Sequence, residues 1–168
     1  MVVLGRESLR QLLAARPPLV EGVRAEAVQP HGIELTVRDV ARFSAAGQLG
    51  VEDRERRLAV STPLEFDDEG LVRLLPGGYL VTFNEVVNLP RHLMALVRPR
   101  SSLIRCGVSL HTAVWDAGYS GRSQSLLVVH HPEGFRLARN ARILQLVFLV
   151  LDRAVGEGYQ GLFQGENL

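Results

Sequence analysis

Short apolar runs separated by turn residues are the feature that most constrains the fold of this 168-residue chain. Valine, leucine, isoleucine and phenylalanine dominate the runs, and sequences such as P-G-G, D-A-G and H-P-E-G separate them. Many short strands at this spacing indicate a sandwich, a barrel or a jelly roll rather than β-α-β units. The predicted strands are 32–37, 57–61, 71–75, 79–83, 93–98, 107–112, 124–130, 135–138 and 143–151.

Helices contribute little to the prediction. Residues 8–16 are predicted to form a short helix with Ser8 as its N-cap, and Pro17 ends it. A second helical segment is suggested around residues 39–46. Because no repeat or low-complexity linker divides the sequence, we expect residues 1–168 to form one domain.

Composition and charge exclude several classes of protein. Hydrophobic residues make up 46% of the chain and charged residues 22%, so a buried core is expected rather than disorder. The net charge of +1 gives no electrostatic case for binding nucleic acid or an anionic membrane. The longest strongly apolar run, Ile143–Leu151, has the length of a strand and is too short to span a membrane.

The single cysteine and the N-terminus bear on the cellular compartment. Cys106 has no partner for an intrachain disulfide, and closed zinc sites need more Cys or His ligands than this pattern offers. The N-terminal residues lack the basic segment, apolar core and cleavage site of a secretory leader. We therefore expect a soluble cytoplasmic protein.

All 19 basic residues are arginines, whose planar guanidinium suits phosphate recognition. A GC-rich genome or thermal adaptation explains most of them, but R-S-S-L-I-R at 100–105 combines two arginines with two serines. Guanidinium groups, hydroxyls and backbone N–H groups together can grip a polyphosphate. The alternative is a solvated turn before a strand.

Three other features are ambiguous when taken singly. In W-D-A-G-Y-S-G at 115–121, Asp116 is either a turn residue or a carboxylate that orients water, with Tyr119 offering a flat face to a sugar or base. Gln145 in its apolar strand is either a satisfied core amide or a ligand contact. The glycine-rich segment after the last strand, about 154–168, is either a frayed terminus or a lid.

Taken in order, five segments resemble the dUTP diphosphatase (dUTPase) / dCTP deaminase superfamily, in particular its archaeal-type dUTPase-like members. The resemblance extends from about Val28 to the C-terminus. The segments that carry it are Q-P-H-G-I-E-L-T-V (29–37), P-R-S-S-L-I-R-C-G (99–107), H-T-A-V-W-D-A-G-Y-S-G (111–121), R-I-L-Q-L-V-F (142–148) and Y-Q-G-L-F-Q-G (159–165).

The resemblance implies a mainly β fold of the distorted jelly-roll (β-clip) type, assembled as a homotrimer with active sites at the subunit interfaces. It implies that Asp116 activates the water that attacks the α-phosphate, while Mg²⁺ is held mainly by the triphosphate without a direct protein ligand. It also implies a triphosphate-binding motif, a hairpin that reads the pyrimidine, a tyrosine against the deoxyribose and a closing tail. The substrate-binding residues implied are Arg100, Ser101, Ser102, Arg105, His111, Thr112, Ala113, Val114, Gly118, Tyr119, Gln145, Tyr159, Phe163 and Gln164.

One position separates the two activities of this superfamily. In the deaminases of the superfamily that this sequence resembles, a glutamate that transfers protons lies ten residues after the aspartate that matches Asp116. This chain has Leu126 at that position. We therefore predict hydrolysis of dUTP to dUMP and pyrophosphate. A zinc-independent dCTP deaminase, alone or bifunctional, and a non-catalytic nucleotide-binding trimer are the alternatives. Glu34 and Leu162 depart from the usual Asp and Lys of the family motifs.

Overall fold

The computed structural model describes residues 2–168, which form fourteen strands and two α-helices. Strand β7 alternates fully buried and partly buried side chains, and its residues Tyr79, Val81 and Phe83 face the core. The elements are β1 Val2–Val3, α1 Arg6–Leu13, β2 Val20–Glu21, β3 Val28–Gln29, β4 Gly32–Ala45, β5 Val60–Pro63, β6 Leu71–Leu74, β7 Gly77–Phe83, β8 Val86–Asn88, β9 Leu93–Pro99, α2 Ser101–Arg105, β10 Val108–His111, β11 Ser120–Gly121, β12 Gln124–Val129, β13 Phe135–Ala138 and β14 Arg142–Val150.

Antiparallel pairing builds one large sheet and two small ones. The large sheet has the order β1-β14-β4-β7-β12-β10, with β9 also on β14 and with β3 and β5 also on β4. The small sheets are β11-β8-β2 and β13-β6. The chain is thus mainly β, as the spacing of its apolar runs predicted.

The core is centred on β14, which lies between β4 and β9. Leu144, Leu146 and Phe148 on this strand have no exposed surface. Full burial of one such side chain contributes about 1.5–3 kcal/mol relative to exposure. The strand therefore fixes the positions of both neighbours, and β9 leads directly into the Arg100 segment.

The suggested helix at 39–46 is wrong. These residues continue β4, because β7 pairs with them as far as Arg42 and β5 pairs with them from Ala41 to Ala45. Long-range pairing here overrides local propensity. Helix α1 is confirmed as an element, but it begins two residues early and has Gly5 as its N-cap, without a side-chain hydrogen bond.

Two features bear on the compartment and on the C-terminal segment. No helix among residues 2–168 has both the length and the apolar character needed to cross a membrane. The tail from Asp152 onward contains no strand, yet its backbone is hydrogen-bonded to the rest of the chain. The frayed-terminus interpretation of this segment is therefore wrong for the described structure.

Candidate active site

A cavity of about 510 Å³ lies where β10, β12, the end of β4 and the C-terminal tail meet. Its size falls within the range of about 300–1,000 Å³ that is usual for small-molecule sites. The walls are largely apolar and carry two carboxylates. The lining residues are Phe43, Leu58, Ala59, Leu80, His111, Thr112, Ala113, Val114, Trp115, Asp116, Tyr119, Ser123, Gln124, Ser125, Leu126, Tyr159, Phe163 and Glu166.

The hairpin that follows β10 is anchored at Trp115. The backbone N–H of Trp115 donates to the Ala95 carbonyl at 3.1 Å, and the backbone N–H of Ala95 donates to the Trp115 carbonyl at 2.9 Å. The indole is buried, which fixes the backbone immediately before Asp116. Asp116 itself is exposed at the cavity wall. Within residues 2–168 its carboxylate takes part in no side-chain hydrogen bond or ion pair, so it is free to contact a ligand or water.

Asp116 opens a tight turn. The Tyr119 N–H donates to the Asp116 carbonyl at 3.1 Å, and Gly118 has a φ of +87°, which favours glycine. The turn brings Tyr119 back into the cavity wall with its ring buried. The Asp116 carboxylate and an aromatic surface are thereby held three residues apart.

The tail crosses this turn in close backbone contact. The Tyr159 N–H donates to the Ala117 carbonyl at 2.8 Å. A Cβ added to Gly118 would lie 2.6 Å from the Gly158 Cα, and one added to Gly158 would lie 2.9 Å from the Gly118 Cα. Glycine at both positions is therefore what allows the tail to seat.

The amide of Gln164 fastens the tail further along. Its Oε1 accepts from the Ser120 N–H at 3.0 Å, and its Nε2 donates to the Gly118 carbonyl at 3.0 Å. The residue does not line the cavity. Gln164 thus holds the tail, while Tyr159 and Phe163 of the same tail reach the cavity.

Glu166 is the second carboxylate of the cavity. Its Oε1 accepts a hydrogen bond from the Tyr119 hydroxyl at 2.8 Å, and the Tyr119 and Tyr159 rings meet edge to face at 5.9 Å. Burial raises the pKa of Glu166 above its ordinary value, and the hydroxyl opposes that shift. Burial, and then the Glu166 acceptor, raise the pKa of Tyr119. Tyr119 therefore remains a proton donor at any physiological pH.

The implied phosphate-binding residues form a separate region. Glu34 on β4 is buried and accepts from Arg100 Nε at 2.9 Å and from Arg142 Nη1 at 2.8 Å. Ser101, Ser102 and Arg105 are exposed on α2. No arginine among residues 2–168 lines the cavity.

Gln145 belongs to this second region. It faces Glu34 across the β14–β4 pair, and its Nε2 is buried without a hydrogen-bond partner in residues 2–168. An unpaired buried amide group costs free energy, so the satisfied-core alternative does not describe this side chain.

The structure thus divides the predicted site residues into three groups. The first group consists of two residues, Gly118 and Gln164, which hold the tail against the hairpin. Those not in the cavity wall are Arg100, Ser101, Ser102, Arg105 and Gln145; those in it are His111, Thr112, Ala113, Val114, Asp116, Tyr119, Tyr159 and Phe163.

Sequence reasoning missed Glu166 and the wall formed by Phe43, Leu58 and Leu80. The apolar wall gives no sequence signal, because its residues come from β4, from β7 and from the segment before β5, which meet through long-range pairing. Glu166 gives a weak signal, since it is an acidic residue two positions after Gln164.

Comparison with known proteins agrees with this architecture. The model of the family described as "dCTP deaminase-like" matches residues 3–151. The chain belongs to the dCTP deaminase-like family. The fold of the dCTP deaminase of Agrobacterium tumefaciens is also similar, with a TM-score of 0.66 and 22% identity over 87% of this chain. This chain covers 47% of that deaminase.

Within the dCTP deaminase-like family, the chain resembles proteins that carry a different name. It is 50% identical to the probable deoxyuridine 5′-triphosphate nucleotidohydrolase of Methanosarcina mazei, over 99% of both chains. It is 43% identical to the protein of the same name from Archaeoglobus fulgidus, over 100% of this chain and 99% of the relative. The family assignment made from five sequence segments is confirmed.

Proposed function

We propose that this protein hydrolyses dUTP to dUMP and pyrophosphate. The observation that carries the proposal is the composition of the cavity wall. Asp116 has a free carboxylate there, and Leu126 occupies the position at which the deaminases of the superfamily carry a glutamate. A leucine side chain transfers no proton. The names of the relatives at 43% and 50% identity support the same choice.

The proposed reaction uses Asp116 as the general base. The carboxylate orients a water molecule and takes one of its protons as the water oxygen forms a bond to the α-phosphorus. The bond from that phosphorus to the α–β bridging oxygen breaks, and pyrophosphate leaves with the bonding electron pair. The protein's main contributions are then position and charge, as is usual in phosphoryl transfer.

The nucleoside is proposed to occupy the cavity. The residues that line this part of its wall are His111, Thr112, Ala113 and Val114. Their backbone N–H and C=O groups are proposed to pair with the edge of uracil. The Tyr119 ring is proposed to pack on the deoxyribose, and Phe163 covers the base from the tail. An apolar wall with a few polar groups suits a neutral nucleoside.

The triphosphate needs positive charge that the cavity does not supply. Its two carboxylates, Asp116 and Glu166, would repel phosphate. We propose that Arg100, Ser101, Ser102, Arg105 and Gln145 of a second copy bind the triphosphate, in a homotrimer with active sites between subunits. Arg100 Nε is engaged by Glu34, and Arg100 Nη1 donates to the Arg142 carbonyl at 3.5 Å, so its Nη2 keeps free donors for this purpose.

Mg²⁺ is proposed to enter with the triphosphate. Residues 2–168 contain no group of three or more His, Cys, Asp or Glu side chains arranged to hold a metal. Mg²⁺ keeps several waters and takes few protein ligands, so the single free carboxylate of Asp116 fits a metal carried by the substrate. When bound, the ion neutralises phosphate charge. We also propose a cytoplasmic location for this reaction.

One observation favours a second candidate, dCTP deamination. Leu126 provides no carboxylate for proton transfer, but Glu166 provides one elsewhere in the cavity wall. The raised pKa of Glu166 suits a group that gives and takes protons. The fold similarity to a dCTP deaminase does not separate the two, because it concerns the fold alone.

A single assay distinguishes the candidates. The protein is incubated with Mg²⁺ and either dUTP or dCTP, and pyrophosphate and ammonia are measured separately. We expect pyrophosphate from dUTP and no ammonia from dCTP. Ammonia without pyrophosphate would contradict the proposal, and nucleotide binding with neither product would support a non-catalytic trimer.

A further inference from the structure

We propose that Glu166 is a positioning residue that fixes Tyr119 and thereby sets the preference for deoxyribose over ribose. The inference rests on the proposed function, because it assumes that the sugar packs on Tyr119. Its basis is the 2.8 Å hydrogen bond from the Tyr119 hydroxyl to Glu166 Oε1 inside the cavity. No sequence motif considered above includes Glu166.

The backbone holds Glu166 in place from both sides. The Gly165 N–H donates to the Ser120 carbonyl at 2.8 Å, and the Arg122 N–H donates to the Glu166 carbonyl at 2.9 Å. The Asn167 side chain donates to the Arg122 carbonyl at 2.9 Å. The carboxylate is therefore presented to Tyr119 by an ordered segment, and little entropy remains to be lost when the bond forms.

The chain also leaves room for this particular contact. A Cβ added to Gly121 would lie 2.7 Å from the Tyr119 hydroxyl oxygen and 3.3 Å from the Glu166 Cγ. Any side chain at this position would compete with the hydroxyl for the space beside the carboxylate. Gly121 is buried in β11 and paired with Val87, so it has little freedom to move aside.

The bond determines what Tyr119 can offer a sugar. A hydroxyl that donates to Glu166 has no proton left for a ribose 2′-hydroxyl, and the anchored ring cannot swing away from it. A 2′-hydroxyl therefore finds no proton donor on Tyr119 and gives up its hydrogen bonds to water, which penalises ribose. Deoxyribose presents only C–H groups there and packs on the ring face. Without Glu166, the ring turns and its hydroxyl can pair with the 2′-hydroxyl.

The experiment compares dUTP with UTP in four variants and one control variant. Glu166→Ala is expected to lower the ratio of kcat/KM for dUTP to that for UTP about tenfold, the value of one hydrogen bond of about 1.4 kcal/mol. Glu166→Gln keeps an acceptor oxygen and should retain most of the ratio. Tyr119→Phe loses the anchor but has no hydroxyl to offer the 2′-hydroxyl, so it should lower the ratio less than Glu166→Ala, and the double variant should match Tyr119→Phe. Glu157→Ala, an exposed glutamate of the same tail that does not line the cavity, is the matched control.

A binding measurement keeps the inference separate from the proposed function. Trp115, the only tryptophan, lines the cavity, so its fluorescence can report binding of α,β-imido analogues of dUTP and UTP. Wild-type protein that binds but does not hydrolyse dUTP would overturn the proposed function alone. The inference is overturned if Glu166→Ala weakens both analogues equally or leaves their ratio unchanged. A ratio that falls in Glu166→Ala and returns in Glu166→Gln supports it.

Discussion

The cavity and the Arg100 region handle charge in opposite ways. The cavity contains Asp116 and Glu166 among apolar walls, and no arginine of residues 2–168 lines it. The Arg100 region places two arginines on one buried carboxylate, Glu34, and leaves the polar side chains of α2 exposed. One region suits a neutral nucleoside and a reacting water, and the other suits an anion.

The two regions also differ in how complete they are within one chain. The hairpin and the tail of the same chain close the cavity, through the Gly118–Gly158 crossing and the Gln164 bonds. The Arg100 region is open and keeps unpaired donors. If the proposed roles are right, binding of the nucleoside and binding of the phosphates are separable, and a substitution can remove one without the other.

The largest expected effect is on the cavity side. Asp116→Asn should lower kcat for dUTP about 10³-fold and leave the Kd for the α,β-imido analogue nearly unchanged, since a general base acts only in the transition state. Steady-state kinetics measures kcat, and fluorescence titration measures the Kd for the analogue. An Asp116→Asn enzyme with near-normal kcat would remove Asp116 from the mechanism.

The next largest effect is on the phosphate side. Arg100→Ala should lower kcat/KM for dUTP about 100-fold, because one charged donor to phosphate is lost. Arg98→Ala removes the same charge from an exposed neighbour on β9 and is the matched control. Equal losses in the two variants would mean that general charge, and not the Arg100 contact, matters.

Combining these two variants tests whether the regions meet across subunits. Asp116→Asn and Arg100→Ala chains are co-expressed with different tags, and the mixed oligomers are purified. If each site takes Asp116 from one chain and Arg100 from the next, one of the three sites in every mixed trimer is intact, so about a third of the wild-type activity should return. Mixed oligomers as inactive as their parents would place both residues in a site within one chain.

A smaller effect tests the seat of the tail. Gly158→Ala adds a Cβ about 2.9 Å from the Gly118 Cα, so the tail should lift and expose itself to protease. We expect faster limited proteolysis of the tail and a roughly tenfold higher KM for dUTP, from the loss of about 1.4 kcal/mol of closing contacts. Gly156→Ala meets nothing within 4 Å and is the control. Equal proteolysis of both variants would contradict the crossing contact.

The same contrast explains what the sequence could predict. Runs of consecutive residues identified the hairpin around Asp116 and the Arg100 segment, because their chemistry depends on neighbours in sequence. The apolar wall at Phe43 could not be predicted, because the local sequence suggests a helix at residues 39–46. Only the pairing of β4 with β5 and β7 shows that these residues form a strand. Glu166 was out of reach because its role depends on a partner 47 residues away.

The smallest predicted effect concerns a buried carboxylate under β4. Glu85 accepts hydrogen bonds from the Thr36 N–H at 2.8 Å and from the Thr36 hydroxyl at 2.6 Å. Thr36 lies two residues after Glu34 on β4. Glu34 has two arginines in direct contact, whereas Glu85 has none among its hydrogen-bond partners in residues 2–168. Burial therefore raises the pKa of Glu85, and the Thr36 bonds and the more distant charge of Arg122 only partly oppose the shift.

A raised pKa in the folded state means that the protonated form is favoured by folding. The stabilisation from Glu85 is then fully present below its unfolded pKa, near 4.5, and is lost as pH rises through its folded pKa. Glu85→Gln removes this titration, so its Tm relative to wild type should rise by about 2–4 °C between pH 4 and pH 7. Thermal unfolding at several pH values measures it. Glu157→Gln, the same change at an exposed position of the tail, is the matched control. A Tm difference for Glu85→Gln that does not change with pH would contradict a raised pKa of Glu85.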